Sequence, residues 1–275
     1  MIFSASCFAL MTIIVKFLDD IGTFPLVFAR SIGTAAICIT ILKFQRVPLL
    51  GNYPAWLTIR GIVGCISLIF FFYAIKLMPL ASAVSLRYLS PFFAMVLAMY
   101  FLHENILKRQ WIYMLIAFAG AVLIKGFDFR ISLFAFVVIL ISAFFSGMVY
   151  FVIRRIGTSE HPIVIILYFA AISSIVSLIG SLFQNHHPIG VQDILPLISI
   201  GVLGFGGQFF MTKAFQIEEA NKVAPLKYIE AVFAFILAWV WFGEEQSFLS
   251  LCGMAMIILG VILNSLKRKR RSSKA

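Results

Sequence analysis

The chain has 275 residues, of which 62% are hydrophobic and 12% are charged, with a mean hydropathy of +1.05 and a formal net charge of +11. A soluble domain is about 45–50% apolar and about 25% charged, so apolar residues in this excess cannot all be enclosed in a globule. The composition therefore excludes a soluble enzyme and a disordered chain, and it predicts a membrane protein with several spanning helices.

Ten apolar runs follow one another along the chain, each near the length of about 20 residues that an α-helix needs to cross the hydrocarbon core. Short polar connectors such as Asp19-Asp20 and His103-Glu104-Asn105 separate them and leave no room for a soluble domain. We therefore predict an all-α integral membrane fold with ten transmembrane helices. The predicted spans are 1–18, 24–43, 56–76, 79–101, 109–125, 130–153, 161–183, 194–215, 221–242 and 247–266.

The basic residues near the span ends predict the orientation of the chain, because cytoplasmic connectors carry an excess of Lys and Arg. With the C-terminus in the cytoplasm, fifteen such residues lie on the inner side and five on the outer side. Both termini are then cytoplasmic, and the inner (plasma) membrane of a bacterium is the expected location. The basic tail, 267–275, is expected to fix this topology and to contact anionic lipid headgroups rather than nucleic acid.

An internal repeat divides the chain. A shift of 140 residues aligns 61–124 with 201–264 without a gap, and 14 of these 64 positions are identical, among them Gly61/Gly201 and Tyr88/Tyr228. Each half then carries five spans, and an odd number turns the second half upside down relative to the first. We predict two inverted five-helix repeats, 1–126 and 130–266, an arrangement common in secondary transporters.

Several short segments in both halves carry a resemblance to a known family. In the first half they are Arg60-Gly61 to Gly64, Phe72-Tyr73-Ala74, Met78-Pro79-Leu80-Ala81, Ser90-Pro91 and His103-Glu104-Asn105; in the second they are 224–230 and Phe242-Gly243-Glu244. The chain resembles the EamA-type ten-helix carriers of the drug/metabolite transporter superfamily. The resemblance implies a carrier whose central cavity is lined mainly by spans 3, 4, 8 and 9, in a family that includes amino-acid and metabolite exporters and S-adenosylmethionine uptake carriers.

Three ionisable residues lie well inside predicted spans, where each costs about 2.5–3.5 kcal/mol on insertion scales. Arg87 and Lys227 are counterparts in the repeat, and Glu230 lies close to Lys227. Two cations and one carboxylate suit a zwitterionic or anionic solute, and Glu230 could instead exchange a proton. The structural alternative is that Lys227 and Glu230 neutralise each other at i,i+3, with Arg87 holding Glu230 across the bundle.

Other residues are weaker candidates for the interior. Tyr88, Tyr228 and Gln208 are predicted to line the cavity, with simple packing as the alternative. Pro91 lacks a backbone N–H and predicts a break in span 4. The glycine clusters 61–64 and 201–207 predict close helix packing. Arg30 and Arg60 lie near span ends in this alignment and are expected to snorkel to the interface in a structural role.

We predict a secondary transporter of a small zwitterionic or anionic metabolite, amino-acid-like or S-adenosylmethionine-like, that works by alternating access and is coupled to a proton or a counter-solute. An organic or phosphorylated anion is the alternative substrate. A non-catalytic membrane scaffold and a lipid-modifying enzyme are the alternatives from other classes. An enzyme is not expected, because membrane depth offers one carboxylate and no histidine. No ATP-binding motif or metal-ligand spacing occurs, so no cofactor is predicted.

Overall fold

The computed structural model describes residues 1–102, 108–127, 131–184, 189–217, 229–243 and 247–266. Every regular element in these ranges is helical, as predicted. The helices are α1 (Ile2–Phe17), α2 (Thr23–Phe44), α3 (Pro54–Leu77), α4 (Leu80–Arg87), α5 (Ser90–Leu102), α6 (Lys108–Phe127), α7 (Leu133–Ile156), α8 (Pro162–Leu182), α9 (Val191–Ile217), α10 (Ile229–Phe242) and α11 (Phe248–Leu266), with a 3-10 turn at Gly157–Ser159 after α7.

Six stretches of the described residues are long and apolar enough to cross a membrane, and three shorter apolar helices accompany them. The long stretches are Thr23–Phe44, Pro54–Leu77, Leu80–Phe101, Leu133–Ser159, Pro162–Leu182 and Val191–Ile217. The shorter helices are Ile2–Phe17, Trp111–Gly120 and Leu251–Gly260. The chain is therefore a multi-pass membrane protein in which backbone polar groups are satisfied within helices.

The fourth predicted span is interrupted in the protein interior. α4 ends at Arg87 and α5 begins at Ser90. Across this gap the N–H groups of Tyr88 and Leu89 donate to carbonyls only three residues back, each at 3.1 Å. Pro91 cannot donate a helical hydrogen bond, so the regular ladder cannot run through this point. The predicted break is confirmed, and it places the Arg87 cation at a helix C-terminus, where the helix dipole favours positive charge.

The helices of the two halves correspond under the same shift of 140 residues that aligns the sequences. α1, α2 and α3 correspond to α7, α8 and α9, and their bounds agree to within three residues, except that α7 begins nine residues before the counterpart of the start of α1. Helices of one half pack on helices of the other half in corresponding pairs. α1 packs on α9 and its counterpart α7 packs on α3, while α2 packs on α9 and its counterpart α8 packs on α3. These six helices therefore enclose an interior to which both halves contribute.

Two glycines from different halves bring α2 and α9 into close approach. A Cβ added at Gly201 on α9 would lie 3.2 Å from the Cα of Gly33 on α2. At the corresponding contact between α3 and α8, a Cβ added at Gly61 would lie 3.1 Å from the carbonyl oxygen of Tyr168. Both neighbours are backbone atoms, which cannot rotate away as a side chain can. The prediction that these glycines serve helix packing is confirmed.

We expect Gly201→Ala to destabilise the protein relative to Gly206→Ala by about 1–3 kcal/mol, because overpacking forces backbone shifts. Both substitutions lie on α9 and gain the same helix propensity, but a Cβ at Gly206 meets only the Cys7 Sγ, at 3.2 Å. Melting temperatures of the two purified variants in one detergent make the comparison. Equal melting temperatures would contradict a packing role for Gly201.

Candidate functional site

A cavity of about 30 Å³ lies in the interior between α1, α2, α3, α4, α7, α8 and α9. Its lining includes three arginines from three different helices, one glutamine and one phenylalanine. These residues are Arg30, Arg60, Arg87, Gln208 and Phe169.

Arg30 and Arg60 are enclosed in the protein, with exposed fractions of 1% and 0%. Arg30 Nε contacts the Met11 sulfur at 3.3 Å, and Arg60 Nη2 donates to Gln208 Oε1 at 2.9 Å. The expectation that both arginines snorkel to the interface is therefore wrong. Each side chain points towards the other helices of the bundle, and no path to the membrane surface is open to it.

The aromatic ring of Phe169 on α8 holds the two guanidinium groups together. Arg60 Cζ lies 4.4 Å and Arg30 Cζ 5.2 Å from the ring centroid, distances at which a cation is attracted to the ring face. Glycines provide the space. A Cβ at Gly64 would lie 2.5 Å from Arg60 Nη1, and one at Gly204 would lie 3.0 Å from Arg30 Nε. The repeat-related glycines therefore make room for the arginines as well as for helix contacts.

Arg87 reaches the same cavity from the break in the fourth span. Its guanidinium carbon lies 3.8 Å from the centroid of the Phe71 ring, and its Nε donates a long hydrogen bond of 3.4 Å to Ser146 Oγ. Ser146 in turn shares a hydrogen bond of 2.7 Å with Ser67, whose hydroxyl also donates to the carbonyl of Ser142 at 3.0 Å. These serines join α3 to α7 and fix the position of the Arg87 contact.

The predicted site residues fall into three groups. Arg87 and Gln208 line the cavity. Tyr88 and Glu230 are buried, each with an exposed fraction of 3%, and they are not in its lining. Lys227 and Tyr228 lie outside the described residues, so their predicted place in the cavity stays a prediction.

The buried arginines have hydrogen-bond donors to spare. Arg30 Nη1 and Arg60 Nε and Nη1 are buried and have no hydrogen-bond acceptor among the described residues. Buried polar groups are almost always paired, so these donors require an explanation. Arg30 also lies within electrostatic range of both Arg87 and Arg60, and no described carboxylate lines the cavity. The arrangement can bind an acidic group by charge-assisted, bidentate hydrogen bonds.

The described residues contain no group of three or more His, Cys, Asp or Glu side chains that could hold a metal ion. The chemistry available in this cavity is therefore that of cations, amide and hydroxyl groups and aromatic rings. Such groups recognise a solute by charge and shape.

A bundle of membrane-spanning helices with a polar cavity in its interior is typical of membrane transporters. The chain belongs to the EamA-like transporter family, which it matches at residues 1–126 and 133–266. The family expected from the sequence motifs is thus confirmed. The family and the named relatives are transporters rather than enzymes, as predicted.

Named relatives cover most of the chain. The pseudopaline exporter CntI of Pseudomonas aeruginosa is 31% identical over 267 residues, which are 95% of this chain and 93% of that protein. Solute carrier family 35 member G1 of Homo sapiens is 26% identical over 288 residues, 98% and 79% of the two chains. An S-adenosylmethionine uptake transporter of Rickettsia bellii is 24% identical over 259 residues, 92% and 87%. One crystal structure, 20% identical, has a TM-score of 0.70 with 98% of each chain covered, which shows a shared fold.

Proposed function

We propose that the chain is a secondary transporter that carries a small anionic or zwitterionic metabolite through the arginine cavity by alternating access. The observation that carries the proposal is the set of buried guanidinium donors that lack acceptors at Arg30 and Arg60. In an apolar interior such donors are costly unless a ligand completes them. The relatives' names support a small organic solute, since one exports pseudopaline and another takes up S-adenosylmethionine.

Four described side chains are proposed to contact the solute: Arg30, Arg60, Arg87 and Gln208. An amino acid, an organic anion and a phosphorylated anion each carry an acidic group that can accept hydrogen bonds from the open guanidinium donors. The sequence prediction adds Lys227 and Tyr228 from the second half, and the repeat relation of Lys227 to Arg87 supports that addition. Tyr88 lies directly after α4 and Glu230 lies on α10, and both are buried; for these two residues we propose a role behind the cavity wall. A proton, carried by Glu230, or a counter-solute would then provide the coupling.

Alternating access requires closing contacts at both ends of the bundle, and one end is held by Lys76. Its Nζ donates to the carbonyl of Asp19 at 2.6 Å and also to the carbonyl of Ile21. Lys16 Nζ donates to the carbonyl of Ile75 at 3.0 Å beside it. We call the contacts of Lys76 the first latch; they join the end of α3 to the connector between α1 and α2.

A second latch lies at the opposite end, where the side chain of Gln216 joins the end of α9 to the connector between α7 and α8. Gln216 Nε2 donates to the carbonyl of Gly157 at 2.8 Å and to that of Glu160 at 2.9 Å. Lys76 and Gln216 are counterparts under the shift of 140 residues, and the connectors they hold also correspond. The repeat therefore supplies one latch for each end, which supports opening of either end in turn by related motions.

We expect Lys76→Met and Gln216→Met to open opposite ends. Each variant loses two hydrogen bonds, together worth about 1–3 kcal/mol, so the open population should rise about 5- to 150-fold. The readout is labelling of Leu68→Cys, in the cavity lining, by a membrane-impermeant maleimide in a variant whose four native cysteines are replaced. Labelling in right-side-out and inside-out vesicles shows from which side of the membrane the maleimide reaches the cysteine. Labelling that rises from the same side in both variants would contradict the two-latch account.

The proposed setting is the inner membrane of a bacterium with both termini in the cytoplasm, on the basis of fifteen basic residues near inner span ends against five near outer ones. In this orientation the two repeats, 1–126 and 130–266, move against each other, while the tail, 267–275, stays at the cytoplasmic headgroups. Accessibility of a tag at each terminus from intact cells tests the orientation.

Uptake of a labelled metabolite panel into proteoliposomes, with and without a pH gradient, tests the function. The panel contains acidic, zwitterionic, neutral and cationic solutes. We expect an acidic or zwitterionic solute to accumulate with the wild type and to be lost with Arg87→Gln. The matched control is Arg109→Gln, because Arg109 is exposed on α6 and away from the cavity. Accumulation that is equal in wild type and Arg87→Gln would refute the proposed site.

A further inference from the structure

We infer that the substrate carries two separate acidic groups, one held by the Arg30–Arg60 pair and the other by Arg87, with an apolar spacer between them. The inference rests on the proposed function and narrows its substrate class to dianions such as a dicarboxylate or a carboxylate with a phosphorus acid group. A single carboxylate leaves two of the three arginines of the cavity without a counter-charge.

The charge balance of the cavity favours a dianion. Three guanidinium groups line it, and no described carboxylate does. Arg30 is fully enclosed and within electrostatic range of the other two. A monoanion would neutralise one cation and leave two repelling each other in a medium of low dielectric constant. A second acidic group removes that repulsion and uses donors that the protein leaves open.

The arginines form two binding positions rather than one. Arg30 and Arg60 share the ring of Phe169, and three of their nitrogens have no acceptor among the described residues. Arg87 lies on another ring, that of Phe71, and within the described part of the chain its side chain makes a long hydrogen bond to Ser146. The cations thus lie on two different rings, Phe169 on α8 and Phe71 on α3, and we assign one acidic group to each ring.

Apolar side chains of the same cavity provide the surface for a spacer. Met11, Leu68 and Met211 are in its lining, and all three are buried. Methionine is flexible and polarisable and adapts to an aliphatic chain. The site therefore fits an acid with a short aliphatic or thioether spacer better than it fits inorganic phosphate or sulfate, which offer no apolar part.

The test is thermal stabilisation of the purified full-length protein in detergent by butyrate, glutarate and 3-phosphonopropionate at constant ionic strength. A ligand at free concentration c that binds the folded protein stabilises it by RT ln(1 + c/Kd), so the melting temperature rises once the ligand concentration exceeds Kd. We expect glutarate or 3-phosphonopropionate to reach a given shift at a concentration at least about tenfold lower than butyrate, since the second acidic group adds a charge-assisted contact. The phosphonate arm distinguishes a second carboxylate from a phosphorus acid group, and preference for either diacid supports the inference.

Variants separate this inference from the proposed function. With Arg87→Gln the preference for the diacid should vanish while butyrate still binds at Arg30 and Arg60; with Arg109→Gln the preference should stay. Equal binding of butyrate and the diacids by the wild type would overturn the inference and leave the proposed function intact. Stabilisation by a neutral or cationic metabolite but by none of the three acids would overturn both.

Discussion

We expect Arg30→Met to lower transport at least about tenfold and to leave the melting temperature of the protein equal to or above that of the wild type. The buried guanidinium of Arg30 has the Met11 sulfur as a close contact and leaves Nη1 without an acceptor among the described residues. Replacing a poorly compensated buried charge by an apolar side chain of similar length is often neutral or stabilising. A rise in stability together with a loss of function is expected of a residue that serves ligand binding at a cost in stability.

The expected loss of transport follows from the contact with the solute. A hydrogen bond to a charged group is worth about 1.5–3 kcal/mol, so the loss of one such bond should lower kcat/KM about 10- to 150-fold. The fall should be larger if more than one N–H of Arg30 contacts the solute. Uptake by proteoliposomes and unfolding followed by intrinsic fluorescence provide the two readouts. Arg109→Met is the control for a surface arginine. Normal uptake by Arg30→Met, or a large fall in its melting temperature, would assign Arg30 to structure instead.

Gln208→Leu lowers stability, and the added substitution Arg60→Ile restores it without restoring transport. Gln208 Oε1 accepts the hydrogen bond of 2.9 Å from Arg60 Nη2, so the single variant leaves a further buried charged donor unpaired. That loss costs about 1–3 kcal/mol. The double variant removes both partners and introduces the residues present at the counterpart positions, Leu68 for 208 and Ile200 for 60.

Melting temperatures and uptake rates of the wild type, both single variants and the double variant complete a cycle. A structural pair would recover stability and transport together, whereas a substrate site recovers stability alone. We expect the melting temperature of the double variant to reach at least that of the wild type, with uptake at the level of empty liposomes. Recovery of uptake in the double variant would show that Arg60 and Gln208 serve each other rather than a solute.

The fold is largely predictable from the sequence, because each of its determinants is local or periodic. A spanning helix needs only a long apolar run, and the connectors between runs are short and charged. The break in the fourth span is predictable as well, since Pro91 removes a donor wherever it is placed. The relation of the halves follows from matched glycines and tyrosines such as Gly61/Gly201, and the helix bounds repeat with the same shift.

The site is only partly predictable. Arg87 is found because an ionisable side chain well inside a span is costly, and Gln208 because it is a polar residue within a span that the family resemblance places around the cavity; both line the cavity. Arg30 and Arg60 are missed because a position along a helix does not determine which face meets lipid. That choice depends on how α2 and α3 pack against α8 and α9. For Arg60 the sequence does contain a signal, because a small residue, Gly64, follows it by one helical turn on the same face.

Gly204 makes the corresponding space for Arg30 from another helix, so no local pattern in α2 reveals it. It could be found only through the repeat, in which Gly204 is the counterpart of Gly64. Lys227 and Tyr228, by contrast, rest on the sequence alone. Their place beside the cavity stays a prediction that Lys227→Gln tests in the same uptake assay.

The most direct test of the central claim is uptake of one labelled acidic metabolite by wild-type and Arg30→Met proteoliposomes measured side by side. We expect the wild type to accumulate the metabolite and unlabelled acids to compete with this uptake. Arg30→Met should remain folded but show neither accumulation nor competition by acids. Equal uptake of a neutral or cationic metabolite by both proteins, with no competition from acids, would contradict the central claim.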